Sequence, residues 1–320
     1  MELLISTLDS TVRVATPLTL AALAGLFSER SGVVDIGLEG KMLIAAFASA
    51  AAAYVTGSPW LGLMAGVAAA VMFSMLHAFV SVTYNGNQLI SGMAINTIAS
   101  GITPVLALAW FQQGGNTPPL PDEARFAEIA LPFVDTLRNV PVIGPVYSGL
   151  ISGHSILVYM TVLIIPLVSW FVFKSRFGLR LRSMGENPHA ADTAGISVAR
   201  VRYIALFWNG VLCGMAGTFL SVYQTGSFIK EMTAGKGYLA LAALIFGKWR
   251  PVPAMIGCLL FAFADAVQIR LEGVELPFVG AIPSQFIAVI PYVLTVLLLA
   301  GFVGRSTAPK AVGIPFVKSR

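Results

Sequence analysis

Long apolar runs separated by short polar punctuation make up most of the chain. Runs near the ~20 residues needed to cross a bilayer fall at 11–28, 37–56, 60–83, 89–111, 153–173, 201–223, 237–247 with its flanks, 253–269 and 283–303. The pattern predicts an all-α polytopic membrane protein of about nine (8–10) transmembrane helices, folded as one membrane domain over 1–320. Two stretches break the pattern, ERSGVVDIGLEGK (29–41) and TGSFIKEMTAGKGY (225–238), each mixing glycines and charges beside apolar runs. At membrane depth such backbone is tolerated only when buried in protein or lining a wet cavity. Each break is followed by an apolar run, a Gly/Pro turn (57–60 and 247–253) and a second Gly/Ala-rich span. With the two turns expected on opposite sides, this predicts broken segments related as an inverted repeat. Chance likeness between Ala/Leu-rich helices is the competing reading.

Composition agrees. The 320 residues are 57% hydrophobic and 11% charged, against about 25% charged in soluble domains. Met42 to Pro121 contains no Asp, Glu, Lys or Arg. The net charge of +5 does not imply nucleic-acid binding, because its distribution is that of membrane topology. Twelve of the twenty Lys and Arg sit in 174–202, at Lys248 and Arg250, and in the tail from Arg305, with only Glu186 and Asp192 among them. The loop 113–152 carries Asp122, Glu123, Glu128 and Asp135 against Arg125 and Arg138. The positive-inside rule then places 174–202 and the C-terminus in the cytoplasm and 113–152 outside, with the N-terminus outside by counting. Glu2 and Asp9 occupy a start that lacks a basic n-region, so no cleaved signal peptide is expected. Cys213 and Cys258 lie in apolar segments and are read as packing residues. Gly62/Gly66 and Gly210/Gly214 are spaced for close helix contact.

The basic stretch 174–202 contains a short element with defined ends. Asn187 is a good N-cap, Pro188 suits the first helical position, residues 189–194 can continue the helix, and Gly195 is a natural left-handed stop. Ser197 then caps the next helix. Two turns this short are unstable alone, so they must be held from outside. A solvated loop is the plain reading. Caps at both ends and the small Ala190 and Ala191 favour a rigid knob presented to a partner.

No enzyme constellation is present. The chain lacks H-E-x-x-H, G-x-S-x-G and a Walker motif, so no cofactor or metal is expected on it and it is not expected to hydrolyse ATP. His77, His154 and His189 are scattered, and a core or cavity role is expected for His77. Ion-coupled transport usually leaves ionisable groups inside spans, and the candidates are Glu39 and Asp265. The spans instead hold neutral polar side chains, which suit a path for an uncharged, hydroxyl-rich solute. The pathway candidates are Asn96, Asn209, Asn85, Gln88 and Gln224, with Asn96 and Asn209 deepest. Helix-to-helix bonding is the alternative for each.

SGVVDIGLEGKMLIAAF (31–47) and LRLRSMGENPHAADTAGI (179–196) resemble the permease subunits of binding-protein-dependent ABC importers, in the simple-sugar and nucleoside branch related to ribose and branched-chain amino-acid permeases. The likeness covers essentially the whole chain. It implies that Gly185, Glu186, Asn187, Pro188, Ala190, Ala191, Gly195 and Ile196 form a coupling helix that docks on a cytoplasmic ATP-binding subunit. It further implies a second permease (a paralogue or a copy), an extracytoplasmic substrate-binding protein, ATP on the partner subunit, and a bacterial inner-membrane location. The expected function is inward movement of a neutral solute, a purine nucleoside by the motif likeness, with simple sugars as the alternative. Aromatic faces at Trp110, Phe207 and Trp208 would suit a nucleobase, although packing is the commoner use of such rings. A secondary transporter with inverted repeats is the rival of a different class.

Overall fold

A computed structural model describes residues 2–132, 134, 143–271 and 307–318, with isolated positions between 275 and 293. Its α-helices of six or more residues are α1 (Glu2–Arg30), α2 (Leu38–Thr56), α3 (Pro59–Ala78), α4 (Gln88–Phe111), α5 (Ile156–Lys174), α6 (Arg176–Glu186), α7 (Pro188–Thr193), α8 (Val198–Thr218), α9 (Lys236–Phe246) and α10 (Pro251–Leu271). α3 and α8 continue as widened π-helical turns over Phe79–Thr83 and Phe219–Thr225. Among the described residues seven helices are long and apolar enough to cross a membrane. The fold is therefore the polytopic, nearly all-α one that the apolar runs predict. The run 237–247 is the exception: its 11-residue helix α9 is only ~16 Å long at 1.5 Å per residue, about half the hydrocarbon thickness. The run 283–303 falls almost wholly outside the described residues.

Burial separates centre from periphery. Within their most apolar windows α1 is 83% buried and α8 78%, whereas α4 is only 22% buried. α1 packs against α8, α9 and α10, and α3 packs against α2 and α8. The two small-residue pairs make those approaches possible. A Cβ on Gly210 or Gly214 would stand 2.7 or 2.5 Å from the Cα of Val71 or Val67 of α3. On Gly62 it would stand 2.8 Å from the Ser49 carbonyl of α2. Backbones this close leave no room for a side chain, which is the packing role expected of them. Cys213 and Cys258 are buried, free thiols inside this core.

Both breaks are present. Residues 31–37 interrupt the path from α1 to α2, and 226–235 the path from α8 to α9. Each is followed by a helix, a short turn and a helix starting at proline, Pro59 or Pro251. The second turn is held open by Lys248 and Trp249, both left-handed at φ 51° and 53°. This conformation is costly for non-glycine residues, and contacts with the end of α1 offset it. The Trp249 indole N–H donates to the Glu29 carboxylate, and its carbonyl accepts from Arg30 Nε and Nη2 at 3.1 and 2.8 Å.

One feature departs from the sequence expectation. The stretch 174–202 is not a loop with one short helix, because α6 precedes α7. Gly178, Leu181, Met184 and Gly185 are its buried positions, an i, i+3, i+6, i+7 stripe masked in the sequence by the basic residues interleaved with it. The loop 113–152 has local pairing in its described part. Glu128–Ile129 pairs antiparallel with His154–Ser155. Its first half is stapled to the second break, with Thr117 N–H to the Phe228 carbonyl (3.0 Å) and Leu120 N–H to the Gly226 carbonyl (2.8 Å).

Candidate functional site

The two breaks meet. The N-terminal end of α2 abuts that of α9, and a Cβ on Gly237 would lie 2.5 Å from the Glu39 backbone nitrogen. Helix N-termini carry unpaired N–H groups and partial positive charge, so two of them facing each other require an anion. Glu39 supplies it. Its Oε1 accepts from Gly235 N–H at 2.7 Å and its Oε2 from Gly237 N–H at 2.6 Å. The carboxylate, first read as one of two ionisable groups available for ion coupling, is thus engaged at both oxygens as a shared cap.

Asn96 on α4 spans the same junction. Its Nδ2 donates to the Ile36 carbonyl at 3.0 Å and the Tyr238 hydroxyl at 2.8 Å, and its Oδ1 accepts from Gly40 N–H at 2.8 Å. One amide therefore ties both breaks to α4 while staying half-exposed. Beside it Tyr238 is exposed, and the Ser100 hydroxyl donates to the Glu231 carboxylate. This is a polar patch on the least buried of the described spans.

Behind the junction lies a charged network with no solvent contact. Lys41 Nζ is 2.5 Å from Asp35 Oδ2, with both side chains 0% exposed. The ammonium also donates to Asn209 Oδ1 at 2.9 Å and Ser74 Oγ at 3.2 Å. Asn209 Nδ2 donates to the Ala24 carbonyl at 3.0 Å, and Gly37 N–H donates to Asp35 Oδ1 at 3.1 Å. His77 bridges the Ser91 hydroxyl and the Val34 carbonyl, both at 3.0 Å, with Nε2 4.0 Å from Asp35. The ammonium uses its three donors, and the network bolts the first break onto α1, α3 and α8.

The sequence-predicted pathway residues do not come together. Asn209 is 0% exposed with both amide atoms engaged, so it has no face open to a solute. Gln88 is buried and accepts from Val34 N–H at 2.7 Å. Asn85, left-handed at φ 51°, lies beside Ser197 and Phe316. Gln224 lies at the other end, beside Arg125 and Tyr223. Of the five, Asn96 alone lies at the junction of the breaks. Asp35, Lys41, Ser74 and Tyr238 escape the sequence reading. The legible signal is an Asp and a Lys six residues apart, flanking glycines beside apolar runs.

Beside the C-terminal end of α1, the short knob has the predicted caps. Asn187 Oδ1 accepts from Ala190 N–H at 3.0 Å, Gly195 is left-handed at φ 79°, and Ser197 Oγ accepts from Arg200 N–H at 3.4 Å. Glu186, Asn187, Ala190 and Gly195 are exposed, Ile196 is half-buried, and Pro188 and Ala191 face inward. Gly185 is buried where α6 crosses the end of α1, and a Cβ there would stand 2.6 Å from the Arg30 carbonyl.

Residues 7–303 match the family described as the branched-chain amino acid transport system, permease component. The chain is 39% identical to the guanosine ABC transporter permease protein NupQ of Bacillus subtilis, covering 100% of this chain and 99% of that one. It is 37% identical to the nucleoside ABC transporter permease protein NupC of Lactococcus lactis subsp. cremoris, covering 96% and 95%. A solved ABC transporter chain in an inward-facing conformation, described as metal-chelate type, superposes with a TM-score of 0.52 at 16% identity, over 92% of this chain and 84% of that one. That likeness concerns the fold alone. With the breaks, the spans and a match over nearly the full length, the chain belongs to the branched-chain amino acid transport system permease family and is a membrane-spanning ABC-transporter permease subunit.

Proposed function

We propose that this permease moves purine-type nucleosides inward, driven by ATP hydrolysis on a separate subunit docked at 185–196, with 113–152 on the side of an extracytoplasmic binding protein. The observation that carries the solute class is similarity along the whole chain to two permeases named for guanosine and nucleosides. The junction supports it, because its helix-end charge is already neutralised by Glu39 and the groups around Asn96 and Tyr238 are amide, hydroxyl and aromatic, the neighbouring Glu231 carboxylate being held by the Ser100 hydroxyl. Cells lacking other nucleoside carriers, given this permease with its partners, should accumulate labelled guanosine. Unlabelled adenosine should compete and ribose should not. Competition by ribose alone would move the assignment to simple sugars. Uptake abolished by collapsing ion gradients but indifferent to the ATPase would instead make it a secondary transporter.

The proposed sidedness follows α1. Its N-terminal half holds Arg13 against Glu128 of the 113–152 loop at 2.9 Å, and its other end holds Gly185. A cysteine at position 190 should react with a membrane-impermeant maleimide only in inside-out vesicles. Reaction in right-side-out vesicles would reverse the map.

Asn96 is the pathway residue we favour. Asn96→Leu removes three hydrogen bonds and leaves an apolar step between the breaks. It should lower guanosine uptake about tenfold, since the three bonds of a half-exposed amide are together worth roughly 1–2 kcal/mol net, while leaving membrane insertion intact. Full uptake by this variant would assign Asn96 to packing.

A further inference from the structure

The C-terminal segment 307–318 joins two parts of the chain that are far apart in sequence. Ala311 N–H donates to the Gly185 carbonyl at 2.7 Å, and Gly313 N–H donates to the Gly32 carbonyl at 3.2 Å. Pro309 is buried beside Gly185. Further on, the Phe316 ring lies 5.0 Å from the His189 ring, and Lys318 Nζ lies 3.5 Å from Asp192. The tail thus grips α7 along its length at one end and the first residues of the first break at the other. Arg202 reinforces the second grip from α8, being 1% exposed and donating from Nε to the Ser31 carbonyl at 3.1 Å.

A helix as short as α7 cannot hold itself. Its internal supports are the Asn187 cap and the buried Pro188 and Ala191. A push on its exposed face would tilt it unless something braces it against the membrane part. The tail is placed to do so. The Lys318–Asp192 pair adds little, since the lysine side chain is 74% exposed and exposed pairs are weak. The two backbone hydrogen bonds and the Phe316 ring are the main contacts.

We propose that 307–318 is a positioning strut that fixes α7 against the end of α1. A force on α7 is then delivered to the break at 31–37, and through it to the Asp35–Lys41 network, rather than lost in rotation of the short helix. This rests on the reading that α7 docks on the ATP-hydrolysing subunit.

The test uses the full transporter reconstituted in proteoliposomes, with the chain ended after Val312, with Phe316→Ala, and with the conservative Phe316→Tyr. Two readouts are taken on separate samples: guanosine moved per ATP hydrolysed by chains without introduced cysteines, and the distance distribution between spin labels on cysteines at positions 190 and 252. Position 252 is exposed near Trp249, which is bonded to the end of α1. The truncated chain and Phe316→Ala should broaden the distance distribution and lower transport per ATP about fivefold, and Phe316→Tyr should restore both. An unbroadened distribution in both defective variants overturns the strut, whatever transport does. Crosslinking of a cysteine introduced at position 190 to the ATPase, in the otherwise unaltered chain, tests the docking reading separately. If it fails, the distance distribution still decides whether the tail positions α7.

Discussion

Lys41→Met should leave little folded protein in the membrane. The substitution nearly conserves volume, so packing is not what it disturbs. It removes the ammonium that neutralises Asp35, admits no water in its place at 0% exposure, and strands Asn209 Oδ1 with only Ser74 as donor. Removing one partner of a buried ion pair costs about 3–5 kcal/mol, a large part of the ~5–15 kcal/mol that holds an ordinary domain together. Lys41→Met combined with Asp35→Asn should recover much of the loss, because neither charge is then buried alone. Thermal melting of detergent-purified protein, read by fluorescence-detected size exclusion, compares the three chains. Equal melting of the single and double variants would mean that the pair's charges are not what secures the break. Asn209→Leu should behave as a stability variant in the same assay, contrary to the pathway role its depth in the sequence suggested.

Ala190→Arg should abolish coupled transport while the chain inserts and melts normally. Ala190 is exposed on α7, and the neighbouring Ala191 is 5% exposed and belongs to the core. The two alanines therefore make opposite predictions. An arginine at 190 has space in the isolated subunit but fills a docked interface. Loss of a central interface contact costs about 2 kcal/mol or more, roughly thirtyfold in productive association. An arginine at 191 would displace core packing and reduce the amount of folded chain before any docking is attempted. Ala190→Ser should remain close to wild type. Transport by Ala190→Arg within about threefold of wild type would remove α7 from the docking surface, since an interface that tolerates such volume is not close-packed.

The membrane class, the positions of most spans, the two breaks and the caps of α7 were all legible without a structure. These are local properties: run length, glycine placement and the chemistry of a residue against its own backbone. Asn187, Pro188 and Gly195 act within four residues of themselves, so their roles were visible. The composition also pointed to membrane spans, because a stretch as long as 42–121 without a charged residue suits a bilayer and not a solvated surface. What each polar side chain in the spans does emerged only from the packed helices. Asn96 and Asn209 look alike in sequence, yet one sits half-exposed between the breaks and the other is sealed behind them. Glu39 was legible only as one of two carboxylates near span ends, and α9, some two hundred residues away, brought its N–H groups to it. His77 had no carboxylate within its own span, and the fold set Asp35 beside it. The physical reason is the same in each case. In a low-dielectric interior a polar group takes the meaning of its nearest partner. That partner is chosen by long-range packing of helices whose apolar surfaces carry almost no information about which neighbour they will meet.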